Sequence, residues 1–324
     1  MADHDAIVAI VPVHDHPHYY QDQLKHALAG GSAAFITRVF VQPLDVLKIR
    51  FQLQVEPFSS SYYHRSKYTS LYQASLCIFR EEGVRAFWKG HIPAQLLSVV
   101  YGMAQFWGYE VLKDKSKEIH WHQGHKNWSN FVCGGLAGAL GTFVTTPLDV
   151  IRTRLIAQDN RRGYTSMLHA TKTILRADGV SGLYRGLLPG IMQVTPLTGI
   201  NFMFYNWLGS TTVEVMKFNS KSDIPAAVAI MNGAMAGFLS KVMVYPMDLA
   251  KKRMQIQGFG EHRKSYGTHF SCNGMMDCFR NTVRQEGVLG LYKGMTPSIY
   301  KAALTSALNF GIYDQIRKYT SKSE

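Results

Sequence analysis

One short pattern occurs three times in this chain, and a repeat at fixed period constrains a fold more tightly than composition does. The copies are Pro43-Leu44-Asp45-Val46-Leu47-Lys48-Ile49-Arg50-Phe51-Gln52, Pro147-Leu148-Asp149-Val150-Ile151-Arg152-Thr153-Arg154 and Pro246-Met247-Asp248-Leu249-Ala250-Lys251-Lys252-Arg253-Met254-Gln255, spaced by about 100 residues, a period that marks tandem units. A second echo follows each: Glu82-Gly83 then Trp88-Lys89-Gly90, Asp178-Gly179 then Tyr184-Arg185-Gly186, Glu286-Gly287 then Tyr292-Lys293-Gly294. A third closes each unit. Tyr109-Glu110-Val111-Leu112-Lys113 matches Tyr313-Asp314-Gln315-Ile316-Arg317, whereas Tyr205-Asn206-Trp207-Leu208-Gly209 lacks both charges. The chain therefore divides into a tail (1–21), three repeats (22–119, 120–219, 220–324) and no separate domains.

Stretches without Asp, Glu, Lys or Arg give the class. Residues 90–109, 127–148 and 186–213 are charge-free, and three further apolar runs are each broken by one cation: Arg38, Lys241 or Lys301. A membrane-spanning helix needs about 20 mostly apolar residues, so six spans are expected, over 24–53, 91–119, 127–158, 187–217, 224–257 and 295–320. The mean hydropathy of −0.09 looks soluble only because basic segments at 53–89 and 251–293 dilute the spans. Charged residues at 18% fall below the roughly 25% of an average soluble domain. Disordered tails and coiled coils are excluded. Four cysteines without zinc spacing argue against a disulfide scaffold or metal site. Nucleophile elbow, zinc helix and phosphate loop motifs are absent, so no enzyme and no cofactor are expected. The net charge of +13 leaves one rival class, a basic helical nucleic-acid binder. His14, His16 and His18 are read as part of the tail. The first 20 residues contain no Lys or Arg, so no transit peptide is expected.

The signature P-x-[DE]-x-x-[KR]-x-[KR], present in triplicate, resembles that of the mitochondrial carrier family, over roughly residues 22–320. The resemblance implies an all-α membrane protein: six transmembrane helices in three pseudosymmetric repeats, three short matrix helices, one barrel, a monomer in the inner membrane. It also implies a matrix gate pairing Asp45 with Arg152, Asp149 with Lys251 and Asp248 with Lys48, braced by Gln52 and Gln255, with Ile156 at the third brace position. Acid and base are three residues apart on one helix and share a face. The implied cytosolic gate draws on Tyr109, Glu110, Lys113, Tyr205, Asn206, Tyr313, Asp314 and Arg317. Lys113 with Asp314 is its one ion pair, and Asn206 faces Arg317. Cardiolipin is implied at Trp88, Lys89, Gly90, Tyr184, Arg185, Gly186, Tyr292, Lys293 and Gly294, where helix N-termini favour phosphate.

An ionisable residue inside a span is a functional candidate. Arg38 and Lys241 each stand five residues before a signature proline, with Thr142 as their third mate. Lys301, Gln193 and Val194 fall at the family's contact points, and Ser98, Tyr101, Gln105, Asn201 and Asn309 share the even-helix face. Tyr101 reads equally as a ring stacker or as helix packing. Three cations without an unpaired acid indicate a phosphorylated anionic cargo. Within the family, Lys48–Gln54, Trp88–Gln95, Lys251–Gln255 and Lys301–Leu304 are similar to members that move thiamine pyrophosphate, implying its exchange for a nucleotide. Coenzyme A or an adenine nucleotide is the alternative cargo.

Overall fold

A computed structural model describes residues 17–56, 67–118, 126–158, 163–217, 224–259 and 270–321. Among them the order is α1 (Pro17–Leu53), α2 (Leu71–Glu82), α3 (His91–Glu118), α4 (Lys126–Ala157), α5 (Met167–Leu183), α6 (Leu187–Met216), α7 (Ala226–Gln255), α8 (Met275–Glu286) and α9 (Met295–Ser321). Two 3-10 turns lie at Val84–Trp88 and Val288–Tyr292. The pattern is long, short, long, three times over. The long helices match the expected spans closely except α1, which starts at Pro17, so part of the expected tail is helical; proline is well suited to a first helical position. His14 and His16 lie outside the described residues.

The described chain forms two compact units. One is Val41–Ala302; the other combines α1 up to Phe40 with α9 from Ala303. The pairings described below lie within Val41–Ala302.

The signature prolines stand inside unbroken helices. Proline removes a backbone donor and kinks a helix. Ahead of Pro147, the hydroxyls of Thr142, Thr145 and Thr146 donate to the carbonyls of Gly138, Gly141 and Thr142 at 2.8, 2.7 and 2.6 Å, a bonding mode that also bends helices. The acid-glycine echo is a helix stop in two repeats, and in the other Gly179 (φ 66, ψ −165) breaks the helical geometry inside α5. Gly83 closes α2 at φ 80, ψ 176 and Gly287 closes α8 at φ 75, ψ 179, a conformation essentially restricted to glycine.

The principal apolar core sits beyond the prolines, where long helices meet α2 and α5: Val46, Leu53, Ile78, Val150, Ile156, Ile174 and Phe259 are buried together. Higher up, α4 packs through small residues. A side chain at Gly138 would stand 2.7 Å from Val194 Cγ1, and one at Gly141 3.0 Å from the Tyr101 ring, the close backbone approach that small residues allow in membranes. Outward faces carry Val99, Met103, Phe106, Phe202, Met203 and Met235, all exposed, as lipid contact requires.

Among the described residues, three helices, Phe131–Ala157, Leu187–Met216 and Ala227–Gln255, are long and apolar enough to cross a membrane. That set differs from the charge-free stretches. α7 qualifies despite Lys241, because one cation is outweighed by its Ala, Val and Met. The charge-free part of α3 does not, because its Gln, Ser, Tyr and Gly residues are uncharged but polar or small.

Candidate functional site

The three ion pairs expected at the ends of the proline-bearing helices are made. Arg152 Nη2 lies 2.7 Å from Asp45 Oδ2, Lys251 Nζ 2.8 Å from Asp149 Oδ2, and Lys48 Nζ 2.6 Å from Asp248 Oδ2. Each acid therefore joins the base of another repeat, and all three acids are buried. Gln255 Nε2 donates to Asp149 Oδ2 at 2.8 Å and Gln52 Nε2 to Asp248 Oδ2 at 3.0 Å. Ile156 holds the corresponding place beside the third pair and is fully buried in the apolar core.

The aromatic-basic-glycine turns set the register of this ring. Gly90, Gly186 and Gly294 have φ of 73, 79 and 81. A side chain there would meet the carbonyl oxygens of Arg152, Lys251 and Lys48 at 3.1, 2.8 and 2.8 Å. Each glycine thus lets one repeat lie directly on the backbone of the next gate base, in the same cyclic order as the ion pairs.

Each acid has a further partner. Lys252 Nζ donates to Asp149 Oδ1 at 2.8 Å, Lys301 Nζ to Asp45 Oδ1 at 2.5 Å, and Gln193 Nε2 to Asp248 Oδ1 at 3.4 Å. Five cations, Lys48, Arg152, Lys251, Lys252 and Lys301, so converge on three carboxylates.

A second charged cluster lies just beyond, built on the second base of each signature. Arg50 Nη1 and Nη2 hold the two oxygens of Glu82 at 2.5 and 2.8 Å, and Lys89 Nζ reaches Glu82 Oε2 at 2.6 Å. Arg154 and Arg185 flank Asp178 at 3.0 and 3.1 Å. Arg253 holds Glu286 at 2.8 Å with both side chains fully buried, and Lys293 joins at 3.0 Å. Burial works against ionising Glu82, but the Arg50 guanidinium and then Lys89 outweigh it and hold its carboxyl below the ordinary value. Burial lowers the Lys293 ammonium despite Glu286. Two of these bases also cap neighbouring helix ends: Arg154 Nε donates to the Gln255 carbonyl and Arg253 Nε to the Gln52 carbonyl, both at 3.1 Å, satisfying carbonyls left open at a helix C-terminus.

These contacts revise several sequence expectations. Lys89, Arg185 and Lys293, expected on lipid phosphate, turn inward to Glu82, Asp178 and Glu286. Their aromatic neighbours divide: Tyr184 stacks on Phe143 at 5.1 Å and Tyr292 on Tyr245 at 6.2 Å, while Trp88 is exposed. Lys301, expected to be available to cargo, holds Asp45. Thr142 gives its hydroxyl to its own helix, because a short side chain on a buried face reaches nothing else first. Val194 and Tyr101 pack against α4, so the packing reading of Tyr101 is the one the structure favours. Lys241 Nζ donates to the Ser298 carbonyl at 3.2 Å. Ser98 and Gln105 are half-buried and Asn201 is exposed. Arg38 belongs to the other compact unit. In the expected cytosolic gate, Lys113 lies over the Tyr109 ring at 5.7 Å, and Glu110, Tyr205 and Asn206 are exposed. The side chains of Asn309, Tyr313, Asp314 and Arg317 lie outside the described residues.

Sequence reasoning missed Lys252 and the outer cluster. The signal was present: Arg50, Arg154 and Arg253 each stand seven residues after a signature proline. It missed Tyr245 as well, whose hydroxyl donates to the Lys293 carbonyl at 2.9 Å. Gln42, also just before its proline, donates to the Lys89 carbonyl at 3.1 Å.

A ring of inter-repeat ion pairs at the ends of proline-bearing spans defines a membrane carrier. The family model described as mitochondrial carrier protein matches residues 21–119, 123–214 and 222–324, and the chain belongs to the mitochondrial carrier family. Its relatives include the mitochondrial thiamine pyrophosphate carrier of Macaca fascicularis, 39% identical over 90% of this chain and 91% of the relative. The Homo sapiens protein of that name is 38% identical over 89% of each chain. Mitochondrial thiamine pyrophosphate carrier 1 of Aspergillus terreus is 36% identical over 89% of each.

Proposed function

We propose that the protein carries thiamine pyrophosphate across the mitochondrial inner membrane, in exchange for a nucleotide, as a monomer that opens alternately to either side. The observation carrying this reading is the surplus of cations over carboxylates at the inner ring, with Lys241 a further cation nearby. Buried like charges are unfavourable unless an anion joins them. A diphosphate ester remains negative after the thiazolium charge is counted, and lysines bind phosphate as point charges. The relatives' shared name points to the same cargo. Differential binding of the cargo to the closed and open ring would drive the conformational change.

The same reading assigns cardiolipin to the crevice of about 550 Å³ lined by Tyr68, Thr69, Ser70, Lys293, Gly294 and Tyr300. With Lys293 turned inward, the lipid phosphate is met by backbone at the start of α9 rather than by the lysine ammonium.

The test is uptake of labelled thiamine pyrophosphate into proteoliposomes loaded with thiamine pyrophosphate, ADP or coenzyme A. Uptake that depends on internal thiamine pyrophosphate or ADP is expected. Brisk coenzyme A uptake without any thiamine pyrophosphate uptake would reject the assignment.

A further inference from the structure

Lys301 has two claims on it. The cargo reading needs its ammonium, yet that ammonium lies 2.5 Å from Asp45 Oδ1 while Arg152 holds Asp45 Oδ2 at 2.7 Å. Exposure separates the partners. The Lys301 side chain is 31% exposed and that of Asp45 6%. An arriving anion therefore reaches the lysine and not the carboxylate.

We propose that Asp45 is the resident occupant of the cargo's anion site: an arriving diphosphate takes Lys301 from Asp45, and Asp45 thereby sets cargo affinity and ties cargo binding to release of the matrix gate. This rests on the cargo reading above.

The arrangement is specific to one of the three acids. At Asp248 the residue equivalent to Lys301 is Gln193, a neutral donor at 3.4 Å. The third equivalent, by its place seven residues after Gly90, is Leu97, and Asp149 is supplied instead by Lys252. Among the described residues, only Asp45 shares a cation with a cargo-site position. Once Lys301 leaves, Arg152 is the ion-pair partner that Asp45 keeps among the described residues, at the one pair whose brace position holds isoleucine. That pair is then the weakest of the ring and opens first. Coupling of this kind is reciprocal: whatever factor cargo takes from the Asp45–Lys301 contact, Asp45 takes from cargo affinity.

The experiment is a double-mutant cycle read by calorimetric binding of inorganic pyrophosphate and of thiamine pyrophosphate to detergent-purified protein, with thermal unfolding confirming that each variant is folded. Asp45→Asn is expected to tighten pyrophosphate binding on the order of tenfold, within the usual range of coupling energies. The gain should vanish in a Lys301→Gln background and persist in an Arg152→Gln background, because the pairwise quantity resides in Lys301. Asp248→Asn, which removes the same charge elsewhere in the ring, should give little gain. Asp45→Ser replaces Asp45→Asn if the latter gives no cooperative unfolding. An equal gain in the Lys301→Gln background would mean general field relief and overturn the proposal, as would no gain in Asp45→Asn. Wild-type protein that binds pyrophosphate but not thiamine pyrophosphate would reject the cargo assignment while the cycle still decides the role of Asp45.

Discussion

The two charged clusters at the proline-bearing end are made from the same signature but are built for different work. The inner ring joins acid and base across repeats, and its side chains retain water contact: Lys48, Lys251 and Lys301 are 15, 17 and 31% exposed. The acid arms of the outer cluster stay within one repeat, tying each long helix to its own short helix, and Arg253–Glu286 is fully buried. The ring's carboxylates are buried, but its lysines can return to water when a pair parts. Breaking a buried pair costs about 3–5 kcal/mol, because it strands a charge. One set of charges can therefore part and re-form during a cycle, and the other holds each repeat together while it moves.

The comparison breaks first at Arg253. Arg253→Ala should destabilise the protein by about 3–5 kcal/mol by leaving the fully buried Glu286 with Lys293 as its one remaining ion-pair partner among the described residues, read as a large drop in unfolding temperature or loss of folded protein. Lys48→Ala should cost less than Arg253→Ala, because Gln52 and Gln193 still donate to Asp248; comparable losses would erase the distinction. In transport the order reverses. Asp149→Asn should lower uptake on the order of tenfold with a modest change in unfolding temperature. Asp314→Asn, in a cytosolic set with few charges, should lower uptake less than Asp149→Asn. Gln255→Leu should cost about 1.5–3 kcal/mol, the range for a hydrogen bond to a charged group. The smallest effect concerns pH. Glu82 is held below its ordinary value of 4.5, so its stabilisation is complete above that value and is lost as pH falls through the lower folded value. Glu82→Gln should flatten the acid limb of the unfolding temperature curve and leave neutral pH nearly unchanged in slope.

The fold was legible because triplication supplied three readings of each motif. A proline, an acid and a base at fixed offsets marked the residues of the inner pairs, and the family resemblance implied how they join. Side-chain choice among alternatives was not legible. Lys251 and Lys252 are adjacent, and periodicity favoured one of them for Asp149; both reach it because lysine stems are long and flexible. Lys301 was marked by its position in a span, but its pairing with Asp45 depends on how two helices approach, which spacing within one helix does not encode. The inward turn of Lys89, Arg185 and Lys293 was hidden because the acids they meet had been read only as part of the repeated echo.

The account's central claim is that the inner ring opens while each repeat stays intact. Spin-label distances test it directly, in protein whose four cysteines are replaced and whose labels stand at exposed positions. One pair is Arg80 on α2 with Arg284 on α8, in different repeats; the other is Met243 on α7 with Arg284, within one repeat. Addition of thiamine pyrophosphate in membranes should lengthen the first distance and leave the second unchanged. A second distance that changes as much as the first, or a first distance that never moves under conditions of active exchange, would contradict it.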